Sequence, residues 1–132
     1  MGKQIGGLNS EQLSQVVAKG MQEKKAEDVV LMDLRKVSNS VADFFVICSG
    51  TSDTHIEAIA DSVDKEVSKV DGESPWHKEG VNNKTWVLLD YVDVVVHIFN
   101  KDKRAFYELE DLWGDAKITR LEEEEEYNDL KF

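Results

Sequence analysis

A chain of 132 residues, 41% of them apolar, is long enough for one buried core and short for two domains. Its formal net charge of −11, with no basic stripe, argues against a nucleic-acid binder, since phosphate contacts need clustered Lys and Arg. A single cysteine excludes an intrachain disulfide.

From the N-terminus, Met1-Gly2-Lys3-Gln4-Ile5-Gly6 resembles neither a secretion signal nor a myristoylation site. No apolar run nears the roughly 18 residues that cross a bilayer, so a cytoplasmic protein is expected. Asn9 or Ser10 caps a first helix with Leu13, Val16, Val17 and Met21 as its apolar stripe, and Leu8 is placed to staple against Leu13. Asp28 to Leu34 forms a near-continuous apolar strand. A turn at Ser38-Asn39-Ser40 leads to a second strand, Phe44 to Cys48, that ends abruptly in Ser49-Gly50-Thr51-Ser52. Ile56, Ile59, Ala60, Val63, Val67 and Val70 then recur at helical spacing. Cys48, inside the apolar strand, is expected to be an inert core thiol.

Asp71 to Pro75 is a loop, followed by a short extended piece around Trp76 to Gly80. Two strands come next, Thr85 to Leu89 and Val94 to Phe99. Their link, Asp90 to Asp93, is too short for a crossover, so they form a hairpin. A third helix is expected over about Lys101 to Leu112, with Asn100 as its cap, Ala105, Phe106, Leu109, Leu112 and Trp113 as its buried stripe, and Gly114 at its end. The domain is placed at residues 8–114. Residues 115–132 are assigned to an acidic flexible tail, in which Glu122 to Glu126 is a block of like charge.

Strands that are apolar on both faces need cover on both sides. In Val94-Val95-Val96-His97-Ile98-Phe99 alternate side chains face opposite ways, and all but His97 are apolar. The fold class expected is therefore α/β: a single three-layer domain with a mixed sheet and helices on both faces.

The strand–Gly50–helix junction is the one place where catalysis suggests itself, because such a turn can hold an anion on free backbone N–H groups. A nucleotidyltransferase-type enzyme using this turn would also need carboxylates converging on magnesium. Asp90 and Asp93 are spaced by three at a hairpin turn, and Asp61 lies two turns into the helix. Thr51 and Ser52 read as helix caps. His55, His77 and His97 are scattered, with no zinc spacing, and His97 fits a hydrogen-bonded core histidine. No catalytic residue, metal ligand or cofactor site is assigned, and the chain is not expected to be an enzyme.

The sequence resembles the ribosomal silencing factor (Iojap-like) family. The matching stretches are Asp33, the run Ala42 to Ser52, His55, Ile59-Ala60-Asp61, Glu79-Gly80 and Trp86. They continue with Asp90 to Phe99, reading D-Y-V-D-V-V-V-H-I-F, and Arg104 to Trp113, reading R-A-F-Y-E-L-E-D-L-W. Together they cover about Leu8 to Trp113 in the family's order. The resemblance implies a nucleotidyltransferase-like fold without demonstrated transferase activity, and a homodimer when free. It further implies a translational repressor that binds the large ribosomal subunit through the ribosomal protein numbered fourteen. Occupying that site blocks joining of the small subunit under nutrient limitation. That partner is basic, which suits the acidic composition. Carried over residue by residue, the ribosomal-protein-binding surface is expected at Glu79, Trp86, Asp90 and Tyr91.

Two departures stand out. The family commonly carries glycine in the hairpin, as D-x-G-D, where this chain has Val92. Valine rarely takes positive φ, so a different or longer turn is expected. The extension after Trp113 has no counterpart in the family pattern.

Overall fold

Asn9 opens the first helix, α1 (Ser10–Glu23), through a reciprocal cap. Its side chain accepts from the Gln12 N–H at 2.8 Å, while Gln12 Oε1 accepts from the Asn9 N–H at 3.1 Å. The stripe of Leu13, Val17 and Met21 is buried, with Val16 and Leu8 packed at its margin. The computed structural model describes residues 8–103 and 116–121.

Strand β1 (Glu27–Asp33) runs antiparallel to β2 (Phe44–Gly50), with a register shift between Glu27 and Val30. Asp28 sits at this irregularity with φ +53°, a conformation that Asp accepts more readily than most residues. β2 is buried along its whole length, as a strand covered on both faces must be. It enters α2 (Asp53–Asp71) through Gly50, where a Cβ would stand 2.6 Å from Ile56 Cγ1. Glycine is there because the helix returns so close to the strand end.

Ile56, Ile59, Val63 and Val67 of α2 are fully buried, each stabilising the fold by about 1.5–3 kcal/mol. Val70, expected on the same stripe, is 45% exposed. α1 and α2 lie side by side, joined where Ser62 Oγ donates to the Gly20 carbonyl at 2.7 Å.

Among the described residues one six-stranded sheet has the order β3-β4-β5-β2-β1-β6. β3 is His77–Glu79, β4 is Trp86–Asp90, β5 is Val94–Asn100 and β6 is Lys117–Arg120. β2 and β5 are parallel, and every other pair is antiparallel, including the β4–β5 hairpin. Both described helices cover one face, over Val29, Val46, Cys48, Val87, Leu89, Val96 and Ile98. The opposite face gathers Val30, Met32, Phe45, Ile47, Val95 and Phe99, with Leu34, Val37 and Ala42 from the β1–β2 connection. The alternation expected in β5 is thus observed: Val94, Val96 and Ile98 meet the helices, and Val95 and Phe99 belong to the other cluster.

The third helix falls outside the described residues beyond Lys101–Lys103, which form a 3₁₀ turn entered by an Asp102 N–H donated to Asn100 Oδ1 at 2.9 Å. The layer it was expected to supply lies outside them too. The boundary at residue 114 is corrected for residues 117–121. Lys117–Arg120 is an edge strand on β1, and the Leu121 N–H donates to the Val29 carbonyl at 2.9 Å. The hairpin expectation is also corrected, since Val92 does adopt φ +78°. The Asp93 N–H donates to the Tyr91 carbonyl at 3.0 Å, and the Val92 N–H donates to Asp90 Oδ1 at 2.7 Å. This is a strained three-residue γ-turn reinforced by an aspartate side chain.

Candidate functional site

The Gly50 junction is the candidate for anion chemistry. Three of its donors are already engaged. The Thr51 N–H donates to His55 Nδ1 at 2.9 Å, the His55 N–H to Ser52 Oγ at 3.1 Å, and the Ile56 N–H to the Ser52 carbonyl at 2.9 Å. With Nδ1 accepting, His55 Nε2 carries the proton and donates it to the Lys24 carbonyl at 2.7 Å, tying α2 to the end of α1. Thr51 and Ser52 serve the helix start, as their types suggest.

The carboxylates are remote from it. Gly50 pairs with Asn100 at one end of the parallel ladder, and Phe44 pairs with Val94 at the other. Asp93 precedes Val94 and Asp90 pairs with Val95, so roughly 15–20 Å of strand separates them from the turn. Among the described residues no group of three His, Cys, Asp or Glu side chains is placed to hold a metal. A cavity of about 690 Å³ beside α1, lined in part by Glu11, Lys19, Arg35, Phe44 and Lys117, gathers charges of both signs. Its Arg35 is held by Asp33 in two short hydrogen bonds, at 2.9 and 2.7 Å, which keep the Asp33 carboxyl below its usual range.

The residues singled out on the hairpin divide between the two faces of the sheet. β3 pairs His77 with Asp90 and Glu79 with Leu88, so these four side chains share a face with Trp86. Lys78 pairs with Leu89 on the helix side, where its ammonium lies 3.6 Å from Asp64. The alternation therefore removes the cation from the outer strip and leaves the carboxylates of Glu79 and Asp90 on it. His77 Nε2 lies 2.8 Å from Glu79 Oε2.

Trp86 is half-buried. Its indole packs 5.1 Å from the Phe99 ring, and its Nε1–H donates to His97 Nδ1 at 3.0 Å. His97 is 3% exposed and packs edge-on against Phe45 with ring centres 4.5 Å apart. Burial pushes its pKa down to about 3, so the imidazole is neutral. With Nδ1 accepting, Nε2 keeps its hydrogen, and that atom is buried without a hydrogen-bond partner.

Tyr91 has to be removed from the expected surface. It is 1% exposed and belongs to the core under α2, with its hydroxyl buried and unpartnered. Burial, with Asp64 and Glu73 nearby, raises its pKa well above the usual tyrosine range. The γ-turn aims it inward, so it anchors the hairpin instead of presenting a ring to solvent. Trp76, by contrast, is 76% exposed at the start of β3, and its N–H donates to the Asp90 carbonyl at 2.7 Å. Sequence reasoning passed over it. The signal was a tryptophan in a Ser-Pro-Trp loop, with no helical or strand periodicity to bury it.

Fold and strip together define an α/β domain with a mixed six-stranded sheet among the described residues, whose β3–β4 edge carries the carboxylates of Glu79 and Asp90 between Trp86 and Trp76. The family model described as "Ribosomal silencing factor during starvation" matches residues 8–131. The chain is 43% identical to ribosomal silencing factor RsfS of Halalkalibacterium halodurans over 115 residues, covering 87% of this chain and 97% of that protein. It is 40% identical to the RsfS of Bacillus subtilis, covering 87% and 96%. A chloroplastic Iojap protein of Zea mays is 36% identical, covering 80% of this chain and 45% of that one. A crystal structure from Bacillus halodurans superposes with a TM-score of 0.71 at 39% identity, covering 84% of this chain and 99% of the other. One from Chromobacterium violaceum gives 0.76 at 27% identity, covering 87% and 94%. This chain belongs to the ribosomal silencing factor family. The match runs on to residue 131, so the extension after Trp113 is part of the family pattern after all.

Proposed function

We propose that this protein represses translation by binding the large ribosomal subunit through the ribosomal protein numbered fourteen, where it sterically blocks small-subunit joining. The observation that carries this reading is the outer strip of β3 and β4, in a chain matched by the silencing-factor family from residue 8 to 131. Along the strip Trp86 is followed by the Leu88–Glu79 pair and then the Asp90–His77 pair, Lys78 is turned away, and exposed Trp76 stands beside Asp90 at the end. Aromatic anchors on either side of paired carboxylates fit a basic protein partner, and they give a hydrophobic contact with electrostatic steering. Tyr91 supports the strip from below. The chain acts in the cytoplasm, is a homodimer when free, makes no specific nucleic-acid contact and performs no catalysis. The engaged N–H groups of Thr51, His55 and Ile56 and the remote carboxylates support that last point.

Sedimentation of cell extract on a sucrose gradient tests the role. Co-migration with free large subunits during nutrient limitation is expected. A position at the top of the gradient in every growth state contradicts it. Calorimetry with magnesium and a nucleoside triphosphate tests the non-catalytic part. No saturable heat is expected, and a dissociation constant of about 1 μM, some 8 kcal/mol of binding, overturns it.

A further inference from the structure

His97 costs the fold more than its neighbours on β5. Its Nε2–H is buried without a partner, in a wall formed by Phe45, Trp86 and Phe99. An orphaned buried donor costs about 1–3 kcal/mol, and an apolar ring at this position would carry no such cost. The single side-chain hydrogen bond His97 makes among the described residues goes to the Trp86 indole, at 3.0 Å. The Leu88↔His97 and Trp86↔Phe99 pairs place the imidazole diagonally behind the indole on the same face of the sheet. The His97 ring lies nearly parallel to Phe99, at 9°, and is itself wedged against Phe45. The acceptor that meets Trp86 is therefore fixed in position before any partner arrives.

We infer that His97 is a positioning residue. Its Nδ1 holds the Trp86 indole in one orientation, so that the outer strip of β4 is preorganised for its partner. The inference rests on the reading of Trp86 as part of the binding surface. A rigid anchor loses less rotamer freedom on binding than a loose one, a cost of about 0.5–1.5 kcal/mol for each side chain that is immobilised. The effect therefore falls on affinity more than on folding. No contact between His97 and the partner is needed.

Two substitutions separate the hydrogen bond from the packing. His97→Phe keeps a ring and removes the acceptor. His97→Asn places an amide oxygen where Nδ1 lies and restores the acceptor. Affinity for purified large ribosomal subunits is measured for both, beside Trp86→Ala, with melting curves for each variant. A roughly threefold to tenfold loss is expected for His97→Phe, with recovery in His97→Asn. In the unmutated chain, nitrogen NMR should show scalar coupling across the hydrogen bond between Trp86 Nε1 and His97 Nδ1. That measurement decides the matter even if His97→Phe fails to fold. Absent coupling, unchanged affinity in His97→Phe, or equal losses in Phe and Asn variants each overturn the inference. If Trp86→Ala binds as tightly as the unmutated chain, the surface reading itself fails and the inference falls with it. If Trp86→Ala is weak while His97→Phe is not, only the inference fails.

Discussion

Val92 stores strain in the open. With φ at +78° in a γ-turn and a side chain 49% exposed, it gains little from burial and incurs the steric cost of a β-branched residue in left-handed backbone. Val92→Gly should raise stability by about 1 kcal/mol, read as a shift of the denaturant midpoint at unchanged slope. A loss of stability would mean that the valine side chain packs in a way its exposure hides. His97 ties stability to pH. Its folded pKa, about 3, lies below the unfolded value of 6.5, so the unfolded chain binds more protons at mildly acidic pH. Its contribution is complete above pH 6.5 and is lost as pH falls toward 3, at up to about 1.4 kcal/mol per pH unit. His97→Asn should flatten stability between pH 6 and 4.5, measured by denaturation at several pH values. An unchanged slope would show that other groups govern acid unfolding. Chemical type made this histidine legible in the sequence as a core residue. Tyr91 was not, because its burial depends on α2 lying over the hairpin, which no local pattern around Asp90 records.

At the scale of elements, periodicity reported faithfully wherever a segment buries one side. α1, α2, β2 and β5 follow their apolar spacing, and the Asp90–Asp93 hairpin follows from its length. β6 escaped because all four residues of Lys117–Arg120 are exposed, so its pairing with β1 leaves no apolar trace. β3 is equally exposed and short, but the turn residues around it gave it away. Gly80 shows why that turn is exacting. Its φ is +78°, and a Cβ there would stand 2.0 Å from the Trp86 carbonyl oxygen. Gly80→Ala should therefore destabilise the β3–β4 pair by about 2 kcal/mol or more and disturb Trp86 with it. Hydrogen exchange at the β4 amides checks this, and protection equal to the unmutated chain would contradict it. The far edge gives a paired test. Truncation after Leu121 removes the block of like charges and should leave the melting temperature nearly unchanged. Truncation after Ala116 also removes β6 and the Leu121–Val29 bond, and should lower it by several degrees. Equal effects of the two truncations would contradict the placement of β6.

For the whole molecule, the distribution of charge matters more than its total. A net charge of −11 keeps the chain soluble and attracts basic surfaces over a Debye length of about 8 Å at physiological salt. Glu79 and Asp90 localise that attraction on the strip that carries Trp86. Asp90→Lys should therefore slow association with large subunits and weaken its salt dependence, with a smaller effect on dissociation. The most direct measurement of the central claim is subunit joining followed by light scattering in a purified system. The unmutated chain, Trp76→Ala and the double variant Glu79→Lys/Asp90→Lys are each preincubated with large subunits. Trp76 and Glu79 are exposed, so Trp76→Ala should melt close to the unmutated chain, whereas the double variant also loses the Asp90 acceptor for the Val92 N–H and should melt somewhat lower while remaining folded. The account predicts that the unmutated chain abolishes the joining signal and that both variants restore it substantially. Joining that proceeds normally with the unmutated chain, or is blocked equally by well-folded variants, would contradict it.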